Sequence, residues 1–218
     1  MNIPLTDFWV HNNFFSGTIA VELGTISSLE SLRLGNNKLV GTIPSTFVGL
    51  TNLSIADFSE NNLSGTLNSF LDEWASLSIL DVSNNAIGGT IPSSLGNLFR
   101  MIELNLSENI LSGPIPSNLG QLTRLRKLSV HENNLSGTVP AELAGLFAIK
   151  EFQIHANNLS PPFPSQQLCP ILGNVAASFA DCDELGIAMD CVTYCCADGI
   201  GCACNYEFTD PLRCIPPE

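Results

Sequence analysis

Seven asparagines, Asn13, Asn37, Asn61, Asn85, Asn109, Asn133 and Asn157, recur every 24 residues without a break. Six glycines, Gly17, Gly41, Gly65, Gly89, Gly113 and Gly137, keep the same beat four residues later. A period of this size leaves a chain few options. Each unit is one supersecondary piece that cannot bury its apolar face alone, so successive units must stack into a solenoid. About seven coils are enough for a continuous core. The unit around Asn109 reads Met101-x-x-Leu104-x-Leu106-x-x-Asn109-x-Leu111-x-Gly113-x-Ile115-Pro116. Solenoids act through extended concave surfaces, so recognition is the expected function.

Within each coil, strand period two turns alternate side chains inward. The inward pairs are expected at Phe8/Val10, Leu32/Leu34, Ala56/Phe58, Leu80/Val82, Leu104/Leu106, Leu128/Val130 and Phe152/Ile154. Stacked coils would join these strands at a spacing of roughly 4.8 Å. The asparagine amide both donates and accepts, so the seven are expected to form a buried ladder on backbone groups of adjacent coils. Glycine and then Pro44, Pro92, Pro116 and Pro140 turn the chain onto the second side of the coil. This Leu-x-Gly-x-Ile-Pro unit resembles the plant-type leucine-rich repeats of receptor kinases and polygalacturonase-inhibiting proteins, from Leu5 to about Pro164. The resemblance implies an α/β-type leucine-rich-repeat solenoid over residues 1–165. It would have one parallel concave sheet and little regular helix, and a Cys-rich C-terminal cap would follow over 166–218.

All eight cysteines, Cys169, Cys182, Cys191, Cys195, Cys196, Cys202, Cys204 and Cys214, lie beyond the repeats. An even count in a short, core-poor segment reads as disulfides in an oxidising compartment, with connectivity open. Zinc is the rival, although the tail has no histidine and no paired Cys-x-x-Cys knuckles. The tail also resembles the ends of leucine-rich-repeat proteins of diatoms and related algae. Asn-x-Ser sequons at Asn52, Asn62, Asn105, Asn134 and Asn158 are candidate glycosylation sites if the protein is secreted. Leu5 already occupies the first consensus position, and Met1-Asn2-Ile3-Pro4 lacks a signal-peptide core. The expectation is a piece of a longer protein, secreted or on the outer face of the cell, whose open end would expose Phe8, Val10 and Phe15.

Outward strand positions supply the binding candidates. Four residues before each ladder Asn stand Trp9, Arg33, Asp57, Asp81, Asn105, Ser129 and Gln153. Two before stand His11, Gly35, Ser59, Ser83, Ser107, His131 and His155. Immediately before stand Asn12, Asn36, Glu60, Asn84, Glu108, Glu132 and Ala156. From these, Trp9, Arg33, Asp57, Glu60, Asp81, Glu108, His131, Glu132 and His155 are expected to contact a protein or peptide partner. His131 and His155, on neighbouring coils beside Glu132, should lie roughly 5 Å apart. Two such rings admit a shared metal or a pH-sensitive pair, but ordinary exposed histidines are the expectation, so no metal and no cofactor is assigned.

The chain holds 21 acids against 8 bases, a net charge of −13, which repels phosphate backbones and anionic membranes. No nucleic-acid partner and no membrane insertion is expected. Arg100, Arg124, Arg126, Lys127 and Lys150 gather at the strand entrances, where a solvated, partly salt-bridged edge is the default reading and contact with a sulfated or uronic-acid carbohydrate the sharper one. Thr18, Thr42, Thr66, Thr90 and Thr138 form a hydroxyl row. The sequence carries no Gly-x-Ser-x-Gly, Walker or His-Glu-x-x-His motif, and the Asp72-Glu73 pair beside Trp74 is expected on the water-exposed outer side of a coil, so no enzyme is expected. Two further readings stand beside recognition. One is a cell-wall glycosidase inhibitor, although the paired cysteines such inhibitors carry before the repeats are missing here. The other is a structural surface protein contacting ice or glycan.

Overall fold

Leu-x-Leu spacing becomes strand because one side of each coil is bonded to a copy of itself in the next. The computed structural model describes residues 4–67, 71, 73–172 and 177–179. Strands Asp7–Trp9, Ser31–Arg33, Ile55–Asp57, Ile79–Asp81, Glu103–Asn105, Lys127–Ser129, Glu151–Gln153 and Ala177–Phe179 form one eight-stranded parallel sheet. Through the repeats the register steps by one period, Leu32 opposite Ala56 and Leu128 opposite Phe152. The inward pairs from Leu32/Leu34 to Phe152/Ile154 are buried, while Phe8 and Val10 at the first coil are half-buried. Phe14 and Phe15 of that coil are exposed.

One sheet was expected, and two are found. Ser16–Thr18, Lys38–Gly41, Asn62–Thr66, Ala86–Thr90, Ile110–Gly113, Asn134–Gly137 and Asn158–Leu159 form a second, seven-stranded parallel sheet. The second sheet exists because the Leu-Ser-Gly-Thr run is itself extended, and its backbone groups need partners in the next coil. Its register differs from the first, pairing Thr18 with Val40 and Thr66 with Gly88. The hydroxyl row is therefore not a line of directly opposed threonines. The first sheet also reaches past the last inward pair, Phe152/Ile154: Ala177–Phe179 pairs with Glu151–Gln153.

The remaining arc of the coil is tight 3-10 turn, at Val21–Thr25, Ser45–Gly49, Ser93–Asn97, Ser117–Gln121 and Ala141–Gly145. Pro44, Pro92, Pro116 and Pro140 stand at the N-caps of four of these turns with φ between −64° and −67°. Neighbouring turns touch through backbone: a Cβ on Gly120 would sit 2.0 Å from the Glu142 carbonyl oxygen. Trp74, expected on the outer side of its coil, is instead wholly buried, and its Nε1 donates to the Phe47 carbonyl at 2.8 Å. Its indole belongs to the core because that polar edge finds a partner there. After the repeats, helix Ser165–Leu172 buries Leu168 and Leu172 against the last coil. The disulfide expectation for Cys182, Cys191, Cys195, Cys196, Cys202, Cys204 and Cys214 lies outside the described residues, and Cys169 falls on the helix.

Candidate functional site

The concave face is positioned by its ladder. Each asparagine from Asn37 to Asn157 sends Nδ2 to a carbonyl of the preceding coil and accepts from an N–H of that coil. Asn109, for example, donates to the Val82 carbonyl at 3.0 Å and accepts from the Ile87 N–H at 2.9 Å. It also donates to the carbonyls of Leu106 and Ser107 in its own coil. Asn37, Asn61, Asn109 and Asn133 are buried and Asn85 and Asn157 half-buried. Asn13 departs from the expected buried ladder: it is exposed, and its Nδ2 bonds only Val10 and His11 of its own coil.

A conformational feature of this face was missed from sequence. Asn12, Asn36, Glu60, Asn84, Glu108, Glu132 and Ala156 all have φ between 50° and 57°. A left-handed residue breaks strand alternation, so the side chain before the ladder Asn stays on the solvent side while the Asn turns in. Backbone bonds hold these strained positions, as when Glu60 N donates to Ser83 O at 2.9 Å and Glu108 N to His131 O at 3.0 Å. Asparagine tolerates this conformation better than glutamate, and its recurrence at Asn12, Asn36 and Asn84 was the available signal.

Two of the expected partner-binding acids also have work inside the coil. Asp57 Oδ1 accepts from the Ser59 N–H at 3.1 Å and its hydroxyl at 2.7 Å. Asp81 does the same for Ser83, and its Oδ2 accepts from Asn105 Nδ2 at 3.0 Å. Asn105 repeats the turn with Ser107. The recurring Asx-x-Ser triplet, a side chain bonding two residues on, could have revealed this. Asn105 is half-buried and so stands apart from the other sequons: Asn52, Asn62, Asn134 and Asn158 are exposed. Glu60, Glu108 and Glu132 are exposed and free of such a turn role.

At one end of the face Trp9 is 57% exposed, with Arg33 lying 5.5 Å from its ring centroid and Ser31 Oγ accepting from its Nε1 at 2.7 Å. At the other end His131 and His155 stack, centroids 4.5 Å apart and planes 13° from parallel. Burial pushes the His131 pKa below the ordinary imidazole value, as does a charge on His155, while Glu132 opposes and Lys127 adds to the lowering. The basic edge is partly neutralised: Lys127 pairs with Glu151 at 3.8 Å. The structure thus brings Asp57, Glu60, Asp81, Glu108 and Glu132 onto one face, with Trp9 and Arg33 at one end and His155 at the other.

Residues 27–87 match the family model described as Leucine rich repeat, and residues 100–122 and 124–146 match a second Leucine Rich Repeat model. No curated protein sequence matches the chain. Among solved structures, a Pollen Receptor Kinase 3 is similar at 30% identity and TM-score 0.66, over 72% of this chain and 76% of that one. The plant peptide hormone receptor RGFR1, solved in complex with RGF2, aligns at 30% identity and TM-score 0.77, over 80% of this chain and 28% of its own. The Arabidopsis receptor kinase HAESA, solved with the peptide hormone IDA and the co-receptor SERK1, aligns at 35% identity and TM-score 0.74, over 80% and 30%. This chain therefore spans less than a third of the length of those two receptors' chains. No helix among the described residues is long and apolar enough to cross a membrane.

Proposed function

The chain belongs to the plant-type leucine-rich-repeat family, and from that premise we propose that its concave face binds an extended peptide or protein segment of net positive charge. The reading includes an outward-facing, extracellular setting and no catalytic role. The carrying observation is the run of acids on one open face, of which Glu60, Glu108 and Glu132 are exposed and held outward by left-handed backbone. Acidic groups so arranged attract a cationic partner and fix its register more than they raise raw affinity. Six steps of about 4.8 Å between the strands of Trp9 and Gln153 make about 29 Å, the reach of about nine extended residues. Trp9 offers an aromatic anchor at one end of that length. The similarity to RGFR1 and HAESA, both solved with peptide hormones, supports the same use of the fold.

A test must remove charge without breaking the turns. Asp57→Asn and Asp81→Asn keep the side-chain oxygen that Ser59 and Ser83 need, as Asn105 demonstrates for Ser107. Combined with Glu60→Gln, Glu108→Gln and Glu132→Gln, they neutralise the strip. An array of random nonapeptides should yield binders rich in Lys and Arg for the parent chain. The neutralised variant should lose most of that binding, and parent binding should weaken as salt rises. Equal selection of acidic peptides, or unchanged binding after neutralisation, would reject the reading.

A further inference from the structure

The strip's last two coils carry a group of donors that differs in kind from the acids before it. His131, Glu132 and His155 each offer one ligand atom, and these atoms all lie within 4.8 Å of one another. We propose that these three side chains form a divalent transition-metal site that takes Zn²⁺. The chemistry selects the ion: two imidazole nitrogens and one carboxylate suit zinc, whereas calcium and magnesium take mostly oxygen ligands.

The backbone fixes this arrangement. His131 and His155 occupy the same position in neighbouring coils, and Glu132 N donates to the His155 carbonyl at 3.0 Å. One residue further on, Asn133 N donates to the Ala156 carbonyl at 3.0 Å. Adjacent residues in a strand normally point to opposite sides. Glu132 shares a side with His131 because its φ is 52°. The chain thereby gains a His-Glu pair on one side of a sheet from consecutive residues.

The Nδ1 atom of His131 is buried with no hydrogen-bond partner among the described residues, so Nε2 is the solvent-side nitrogen. Zinc–nitrogen bonds of about 2.1 Å in tetrahedral geometry put neighbouring donors about 3.4 Å apart. Reaching that from separations of up to 4.8 Å requires side-chain rotation, one imidazole tilting out of the 13° stack toward the other. Three protein ligands leave the fourth position to water, the pattern of an open rather than a closed zinc site. The site does not depend on any peptide being bound.

The tail cysteines are zinc ligands too when reduced, so the test must silence them. The full chain, stripped with EDTA and with free thiols alkylated, is titrated with Zn²⁺ by calorimetry. In parallel, imidazole signals are followed by NMR. One zinc per chain should bind, shifting the signals of His131 and His155 and leaving those of His11 in place. H131S and H155S should each weaken binding by at least the ~10-fold that losing an outer-shell partner costs, and E132Q by about as much. Serine occupies the same column at Ser59, Ser83 and Ser107, so the histidine variants fit the coil. A parent thermal midpoint in each variant confirms that. Absence of stoichiometric zinc binding by the parent, or undiminished affinity in H131S, H155S or E132Q, would overturn the proposal.

Discussion

One asparagine can matter to this protein far more than another of identical chemistry. Asn109 satisfies the carbonyls of Val82, Leu106 and Ser107 and the N–H of Ile87, in two coils at once. Its replacement by alanine leaves the Ile87 N–H without an acceptor, at about 1–3 kcal/mol, while the three carbonyls keep the donors of Asn85, Asn133 and Asn84. Asn109→Ala is expected to lower unfolding free energy by about 3 kcal/mol and Asn13→Ala by less than about 1 kcal/mol, since Asn13 is exposed and clasps only its own coil. Urea denaturation of the two variants checks this, and equal losses would contradict it. The period alone exposed all seven asparagines. It could not tell the terminal one from the rest, because burial depends on a neighbouring coil rather than on the residue. The acids show a related limit: the Asp81-x-Ser83 triplet was legible as a turn, but the bond Asp81 accepts from Asn105 in the next coil is a matter of distance.

The turns set how closely coils stack. Gly96, Gly120 and Gly145 lie where an added Cβ would come within 2.0 to 2.3 Å of a backbone oxygen of a neighbouring coil. Backbone cannot rotate aside as a side chain does. Gly120→Ala should therefore wedge the Ser117–Gln121 and Ala141–Gly145 turns apart, costing about 3 kcal/mol, the upper range for overpacking. Gly17→Ala meets open space and should cost less, through its φ of 88° alone. A thermal-melt comparison distinguishes them, and a larger loss at Gly17 would show the close approach to be relaxed in solution. These turn glycines were not legible as contacts in the sequence, where the glycines after each Asn were the conspicuous set. The second sheet was hidden for a related reason. Leu-Ser-Gly-Thr has too few β-branched or aromatic residues to read as strand, and becomes strand because an identical segment lies beside it.

The solenoid stores its order between neighbours, and the direction of the ladder gives that order a polarity. Each Asn from Asn37 to Asn157 reaches back to the coil before it: Asn133 takes the Leu106 carbonyl and the Leu111 N–H. A coil's closing bonds are thus supplied by its successor. Stretched between its ends, such a molecule should come apart as a zip fastener does, one tooth at a time from whichever end yields first. Each 24-residue coil released would lengthen the tether by about 80 Å at full extension. Optical-trap traces of the repeats should show a ladder of steps of that size, and a single rip of the whole array would contradict it. A protein built this way gives under load in small instalments, so tension on one end can undo a coil while the acidic strip further along keeps its shape.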